Sequence, residues 1–421
     1  RAQAQRLDEA DPLAAFGKRY ARPRNAAGEA LLYLCGHSLG LAPLRARALL
    51  LEEMDDWERL GVLGHEHARR PWTEYSKQFS NGLAQLTGAG PHEVVAMNSL
   101  TVNLHLMMAS FYRPAAGRDC VLIEAGAFPS DRYAVISQLQ WHGLDPRQAL
   151  IEVAPRPGEA LLRSEDIEAA IAAAGSKLAL VLWPGVQYLT GQAFDLASIA
   201  RAAHRCGALA GFDLAHSIGN VPLRMHDWDA DFAVWCSYKY LNGGPGAIGG
   251  AFVHERHSAP GTQPRLCGWW GNEPDTRFAM APQFQAATGA DGWQLSNPPI
   301  LTSAPLLASL DDLVAAGMPA LRAKSVALTG YLERALQHLC GTQLQVLTPT
   351  DPQQRGCQLS LRILGDAARF KRVYAAASQR GLVGDQREPD VIRLAPVPLY
   401  NTFTEVLRAA EVLAVALREQ P

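Results

Sequence analysis

The sequence predicts an α/β fold: a large domain built on a mainly parallel, mixed sheet flanked by helices, with a smaller α+β domain beside it. Two observations carry this. From about residue 90, short apolar runs alternate with amphipathic stretches, the pattern of βαβ units. After about residue 300, a long helical pattern gives way to alternating Val/Leu segments. With 421 residues, the chain is long enough for two or three domains. The division expected is 1–60 as an N-terminal segment contributing to the small domain, 61–303 as the large domain and 304–421 as the small one.

Taken in order, Pro43 is well placed to open a helix running to about residue 60. Residues 102–111 read as a helix, 120–124 as a strand and 131–141 as a helix. Residues 149–153 read as a strand and 164–174 as an Ala-rich helix with Ser164 at its N-cap. Residues 178–183 are the clearest buried strand, and 195–206 form a helix ended by Gly207. Strands at 208–212, 232–236 and 247–253 follow. One long helix is expected over 306–339, then strands near 344–347 and 359–364.

Composition narrows the function. Lys plus Arg is 39 and Asp plus Glu 41, a balance that points to neither a nucleic-acid backbone nor an anionic membrane. No apolar run approaches the roughly 18 residues of a membrane span. The charged stretch from Arg1 to Arg24 lacks a signal-peptide core. The seven cysteines contain no CxxC, which argues against a disulfide framework and a Cys-based zinc site. A cytoplasmic enzyme is the expectation.

Ligands of open α/β sheets bind beyond the carboxyl ends of the strands. Asp213 closes one expected strand, with His216 three residues on. Lys239, flanked by Tyr238 and Tyr240, follows another, and the turn Phe128-Pro-Ser-Asp131 follows a third. An amine, a carboxylate and an aromatic face there suit pyridoxal phosphate, which needs a Schiff base, a partner for its pyridine nitrogen and a stacking ring. Asn98-Ser-Leu-Thr101 offers a helix N-terminus for the phosphate. Singly, Asp213 could be a helix N-cap, Lys239 a solvated lysine and Phe128 core packing. The chain has only six lysines, and the other five (Lys18, Lys77, Lys177, Lys324, Lys371) lack this company. The run Gly243 to Gly250 contains a formal G-x-G-x-x-G, but a strand rather than a helix follows, so a dinucleotide fingerprint is rejected. Its glycines are expected to let backbone pass close to the lysine and cofactor. The pairs His65/His67 and His254/His257 are a weak metal signal, and no metal is expected.

The motifs Leu34-Cys-Gly-His-Ser-Leu-Gly-Leu41, Arg70-Pro-Trp72, Phe128-Pro-Ser-Asp131, Phe212-Asp-Leu-Ala-His216 and Ser237-Tyr-Lys-Tyr-Leu-Asn242 resemble the kynureninases. So do residues 98–104, Gly268-Trp-Trp-Gly271, Ser296-Asn-Pro-Pro299 and the run Arg393 to Asn401. The resemblance runs in order from about residue 30 to residue 403. It implies fold type I of the pyridoxal-phosphate transferases, a homodimer with a shared active site, and hydrolytic Cβ–Cγ cleavage of L-kynurenine and 3-hydroxy-L-kynurenine in tryptophan catabolism and NAD biosynthesis. Lys239 would carry the cofactor and move protons, Asp213 would pair with the ring nitrogen, and Phe128 and His216 would flank the ring. Leu100, Thr101, Asp131, Tyr238, Trp269 and Asn297 would complete the pocket, the last two across the dimer interface. Tyr238 would also donate a proton, and Arg393 would clamp the substrate carboxylate. His65, Ser296 and Asn297 resemble the animal-type members, implying a preference for the 3-hydroxy substrate. Asn272 departs from the family's usual His, and a tuned site is expected there. A cysteine desulfurase using Cys357, a His-based metallohydrolase and a non-catalytic cofactor-binding protein are the competing readings.

Overall fold

A computed structural model of the chain describes residues 1–259 and 261–420. The N-terminal part carries helices α1 (Ala46–Leu60) and α2 (Lys77–Thr87). The large sheet is then built by β1 (Val94–Ala96), α3 (Leu100–Phe111), β2 (Cys120–Glu124), α4 (Pro129–Trp141), β3 (Leu150–Val153), α5 (Ser164–Ala174) and β4 (Leu178–Pro184). It is completed by α6 (Leu196–Arg205), β5 (Leu209–Asp213), β6 (Phe232–Trp235) and β7 (Gly250–Val253). Its strand order is β1-β7-β6-β5-β4-β2-β3. Only β7 runs antiparallel to its neighbours.

Both faces of the sheet are covered at its centre, which is why the inner strands are apolar runs, whereas the edge strand β3 carries the exposed Glu152. Successive residues feed opposite cores. Leu122, Val181, Trp183 and Phe212 join one cluster, whereas Val121, Ile123, Leu180 and Leu182 join the other. Local signals set the ends of the elements. Asp195 caps α6 by accepting a hydrogen bond from the Ser198 amide at 3.0 Å. In α5 the expected cap is displaced by one: Arg163 holds the N-cap position, and Ser164 is the first helical residue.

The long helix expected over 306–339 is two helices. Gly317, at φ +73°, ends α7 (Ile300–Ala316), and α8 (Met318–Cys340) restarts with Pro319 in its first turn, at 84° to α7. A positive φ is open to glycine without strain, so periodicity continues across a point where direction does not. The chain then forms β8 (Leu344–Val346), β9 (Leu359–Ile363), α9 (Ala367–Gln379), β10 (Asp385–Arg387), β11 (Val391–Leu394) and α10 (Phe403–Glu419). Their antiparallel sheet has the order β10-β11-β9-β8. A capping box, Thr402 with Glu405, opens α10.

Leu306, Leu310, Leu313 and Leu321 pack into the large-domain core, whereas Leu328, Leu332 and Leu336 pack with β9, α9 and α10. The N-terminal residues are shared: Leu13, Tyr20 and Leu41 join the first core, and Ala4, Leu32 and Leu34 the second. We propose that the domain boundary runs through α8 rather than at residue 303. Among the described residues, no single helix is long and apolar enough to cross a membrane.

Candidate active site

The carboxyl ends of β2, β4 and β5 and the loop after β6 surround one cavity with about 660 Å³ of empty space. Leu100, Thr101, Phe128, Asp131, Asp213, His216, Tyr238 and Lys239 all line it. Eight residues singled out from the sequence therefore converge. Lys239 Nζ lies 3.1 Å from His216 Nε2 and 5.8 Å from the centre of the Phe128 ring. Asp213 Oδ1 accepts the Ala215 amide at 2.7 Å, so this carboxylate caps its own turn and faces the cavity as well. The Thr101 and Ser130 hydroxyls meet at 2.7 Å beside the N-terminus of α3. That terminus concentrates free amides and the positive end of a helix dipole.

The electrostatics are shaped by burial. His216 is buried beside Lys239, so its proton affinity falls and the ring stays neutral. Burial, then the nearby Asp213, raises Asp131 above the usual carboxylate range. Burial pushes Glu124 up to about 8. It likewise lifts the Tyr238 phenol, which keeps its proton at neutral pH.

Sequence reasoning missed Glu124, Ser130 and Tyr188, which also line the cavity. Glu124 had a signal: an acid ending the apolar run Cys120-Val-Leu-Ile. Tyr188 meets Phe128 edge-on at 5.2 Å, and nothing in its loop announced it. The expected role of the Gly243–Gly250 glycines holds only in part. Gly244 and Gly246 adopt positive φ with open space around them, whereas Gly249 leaves no room for a Cβ between Trp235 O and the Leu100 amide.

Other expected residues lie outside the cavity. Arg393 is buried beside it: its Nη1 donates to Tyr188 O at 2.6 Å, and its Nη2 lies 2.8 Å from Asp385. Its guanidinium is thus already engaged by an internal carboxylate. Trp269 is half exposed and donates its indole N–H to Arg277 O. Ser296 and Asn297 are exposed. His65 hydrogen-bonds Val62 O at 3.0 Å and packs edge-on against Trp72 at 5.3 Å. Trp72, Trp57 and Pro299 to Thr302 line a separate apolar groove. Asn272 is buried and accepts the Gln285 amide at 2.7 Å, fixing a loop rather than facing the cavity.

The desulfurase reading loses its residue, and the His254/His257 pair of the metallohydrolase reading is divided between different partners. Cys357 is fully buried, and its thiol is pushed up to about 12, so it presents no mobile thiolate. His257 is held by Asp231 at 2.7 Å, and His254 accepts the Arg256 amide, so this pair does not converge on one point.

Against known proteins, the Aminotransferase class-V family matches residues 48–364, and the Kynureninase C-terminal domain matches residues 321–413. A kynureninase of Xanthomonas campestris pv. campestris (strain B100) is 56% identical over 411 residues, covering 98% of this chain and 96% of that one. One from Stenotrophomonas maltophilia (strain K279a) is 55% identical over 406 residues, 96% of each chain. Among solved structures, a cystine C–S lyase in complex with cysteine persulfide superposes with a TM-score of 0.76 at 18% identity, covering 91% of this chain and 97% of that one. A cysteine desulfurase from Escherichia coli gives 0.75 at 15%, covering 97% and 99%; these two likenesses speak for the fold alone.

Fold and site together define a class-V aminotransferase, a pyridoxal-phosphate enzyme of fold type I. Within that class the chain belongs to the kynureninase family, whose members are hydrolases of carbon–carbon bonds. The residues present fit pyridoxal 5′-phosphate. Lys239 supplies an amine, Asp213 a carboxylate, Phe128 a ring face, and α3 with Thr101 and Ser130 an anion cradle. His216 Nδ1 and Asp131 Oδ1, buried without partners, are polar atoms that a bound group could satisfy.

Proposed function

We propose that the protein hydrolyses the Cβ–Cγ bond of L-kynurenine and 3-hydroxy-L-kynurenine, releasing L-alanine with anthranilate or 3-hydroxyanthranilate, and prefers the hydroxylated substrate. The observation that carries this reading is the convergence of Lys239, Asp213 and Phe128 on one cavity in a chain of this family. Pyridoxal phosphate, when bound, withdraws electrons from the substrate carbons and so lets the bond beside the carbonyl break. The chain's own residues supply the remainder. Lys239 holds the cofactor and moves the α-proton at Nζ. Asp213 keeps the ring nitrogen protonated, Phe128 and His216 flank the ring, and Leu100, Thr101 and Asp131 complete its pocket. Tyr238 retains its phenolic proton at neutral pH and can give it up as the bond breaks. Arg393 binds the substrate carboxylate.

The preference rests on His65, Ser296 and Asn297, whose polar groups can read an added hydroxyl where an apolar wall cannot. His65 touches Trp72, and Asn297 lies two residues before Pro299, so both flank the same apolar groove. We propose that this groove completes the site of a second copy in a homodimer, with Trp269 and Asn297 reaching the partner's cofactor. Exposed apolar side chains nearby, Leu51, Trp57, Val62 and Leu63, suit such an interface. Seven free thiols fit a cytoplasmic setting. Tryptophan catabolism and NAD biosynthesis are the roles that follow from the substrates.

The test is to measure initial rates of the cofactor-loaded protein on both substrates, scoring alanine release. Faster turnover of the hydroxylated substrate supports the full reading, and faster turnover of kynurenine removes the preference. No release from either overturns the reaction. Sedimentation of the holoenzyme as a monomer at micromolar concentration would remove the shared site.

A further inference from the structure

Buried polar groups around the cavity that the reaction does not use include the Glu124 carboxyl, the Tyr240 hydroxyl and the imidazole of His37. His37 carries an inference furthest. It is fully buried, yet neither Nδ1 nor Nε2 has a hydrogen-bond partner. Buried imidazole nitrogens in a folded chain are ordinarily paired, so this ring is placed for something that arrives later.

Its surroundings say what arrives. The ring centre lies 6.5 Å from that of His216, which lines the cavity. Arg393, Lys239 and Arg387 all act on it electrostatically, and burial holds the ring neutral. A neutral imidazole offers one N–H donor. Asp385 pairs with both guanidiniums, so one carboxylate stands against two guanidiniums and an ammonium, and the positive charge left over favours an anion with several acceptor oxygens. A metal ion fits less well, although Cys35, His37 and Asp385 come within ligand range of one another. Asp385 is already paired with Arg393, and the guanidiniums repel a cation.

The turn that carries His37 is held on several sides. The Gly40 amide donates to Tyr238 O at 2.8 Å, and the Ser38 hydroxyl donates to Asp385 Oδ2 at 2.5 Å. Any side chain at Gly36 would run into Tyr400 and Val397. The imidazole is therefore positioned in advance and need not be ordered by the ligand.

We propose that His37 binds the α-carboxylate of the amino-acid substrate together with Arg393, donating one ring N–H to an oxygen that the guanidinium leaves uncovered. This rests on the reading of Arg393 as the carboxylate clamp. The two products separate the ends of the substrate: L-alanine carries the α-carboxylate, and anthranilate carries the ring. The experiment measures inhibition constants of both in the holoenzyme and in His37→Phe, His37→Ala and His37→Gln, along with KM and kcat for L-kynurenine.

In the Phe and Ala variants the ratio of alanine to anthranilate inhibition constants should rise roughly tenfold to a hundredfold, as for one lost hydrogen bond to a charged group. KM should rise in parallel, with kcat within a few-fold. His37→Gln, which keeps an N–H donor, should fall between wild type and Phe. An unchanged ratio in whichever variant folds overturns the proposal, as does a change confined to anthranilate. If wild type fails to cleave L-kynurenine, the proposed reaction falls. Alanine binding, read from the cofactor's visible absorbance, then still decides the role of His37. If Arg393→Leu leaves alanine binding intact, the clamp reading falls independently of His37.

Discussion

Asp385 and Arg393 stand directly opposite each other in the β10–β11 ladder, and their side chains meet at 2.8 Å in the buried wall beside the cofactor cavity. Arg393 Nε also reaches Asp385 Oδ1 at 3.3 Å, so the carboxylate grips one edge of the guanidinium. A buried guanidinium needs a counter-charge, and this one gains it from a cross-strand neighbour. The pairing fixes which N–H groups of Arg393 remain to meet a substrate.

Asp385→Asn should therefore act on binding more than on chemistry. We expect KM for L-kynurenine to rise by about tenfold with little change in kcat, since a charge-assisted contact is weakened and not removed. The variant should also melt at a lower temperature, because Arg393 stays buried with less compensation. Equal falls in kcat and kcat/KM, with KM unmoved, would contradict this.

Lys239→Ala should reduce turnover by several orders of magnitude, as removal of a covalently acting group does. His216, 3.1 Å from Nζ, cannot substitute, because an imidazole has no primary amine with which to form a Schiff base. Loss of the lysine-linked cofactor absorbance should accompany the loss of activity. Retention of that absorbance would point to a different amine.

Glu124 gives the cofactor-free protein a pH signature. Unfolded, a glutamic acid ionises at about pH 4.3. In the folded chain burial holds the proton to about 8. Between these values the folded state binds one proton more than the unfolded state, so stability falls as pH rises and levels off above about 8. Glu124→Gln does not titrate. Its melting temperature relative to wild type should climb between about pH 5 and pH 8; parallel curves would refute the buried acid.

His65→Trp should shift the ratio of kcat/KM values from 3-hydroxy-L-kynurenine towards L-kynurenine. A polar contact to the added hydroxyl would be exchanged for apolar surface. The effect should be a few-fold to about a hundredfold. An unchanged ratio removes His65 from substrate choice.

Much of the site was legible because chemistry gathers at strand ends, and strand ends are what periodicity locates. Asp213 ends one buried strand and Lys239 follows another, and the fold brings both to one cavity. What stayed hidden depends on pairing between segments. Asp385 and Arg393 are eight residues apart with a turn between, and only the ladder register makes them partners. The break at Gly317 was hidden for another reason. The apolar pattern continues through it, while the backbone angle that turns the chain leaves no trace in hydrophobicity. Ser164 misled because propensity does not fix a helix end to the residue: Arg163 takes the extended N-cap backbone with no side-chain cap.

Gly249 has a wider bearing. A β-carbon there would sit 2.9 Å from Trp235 O and 3.2 Å from the Leu100 amide, against backbone that cannot swing aside. The same amide belongs to the helix end that faces the cofactor's phosphate in our reading. This position thus serves as a gauge for reading other chains of the family. A relative with a side chain here has to shift the Trp235 carbonyl and ease the helix end that faces the phosphate, even with the lysine intact. A missing β-carbon, rather than any reactive group, would then help to set how the phosphate is held.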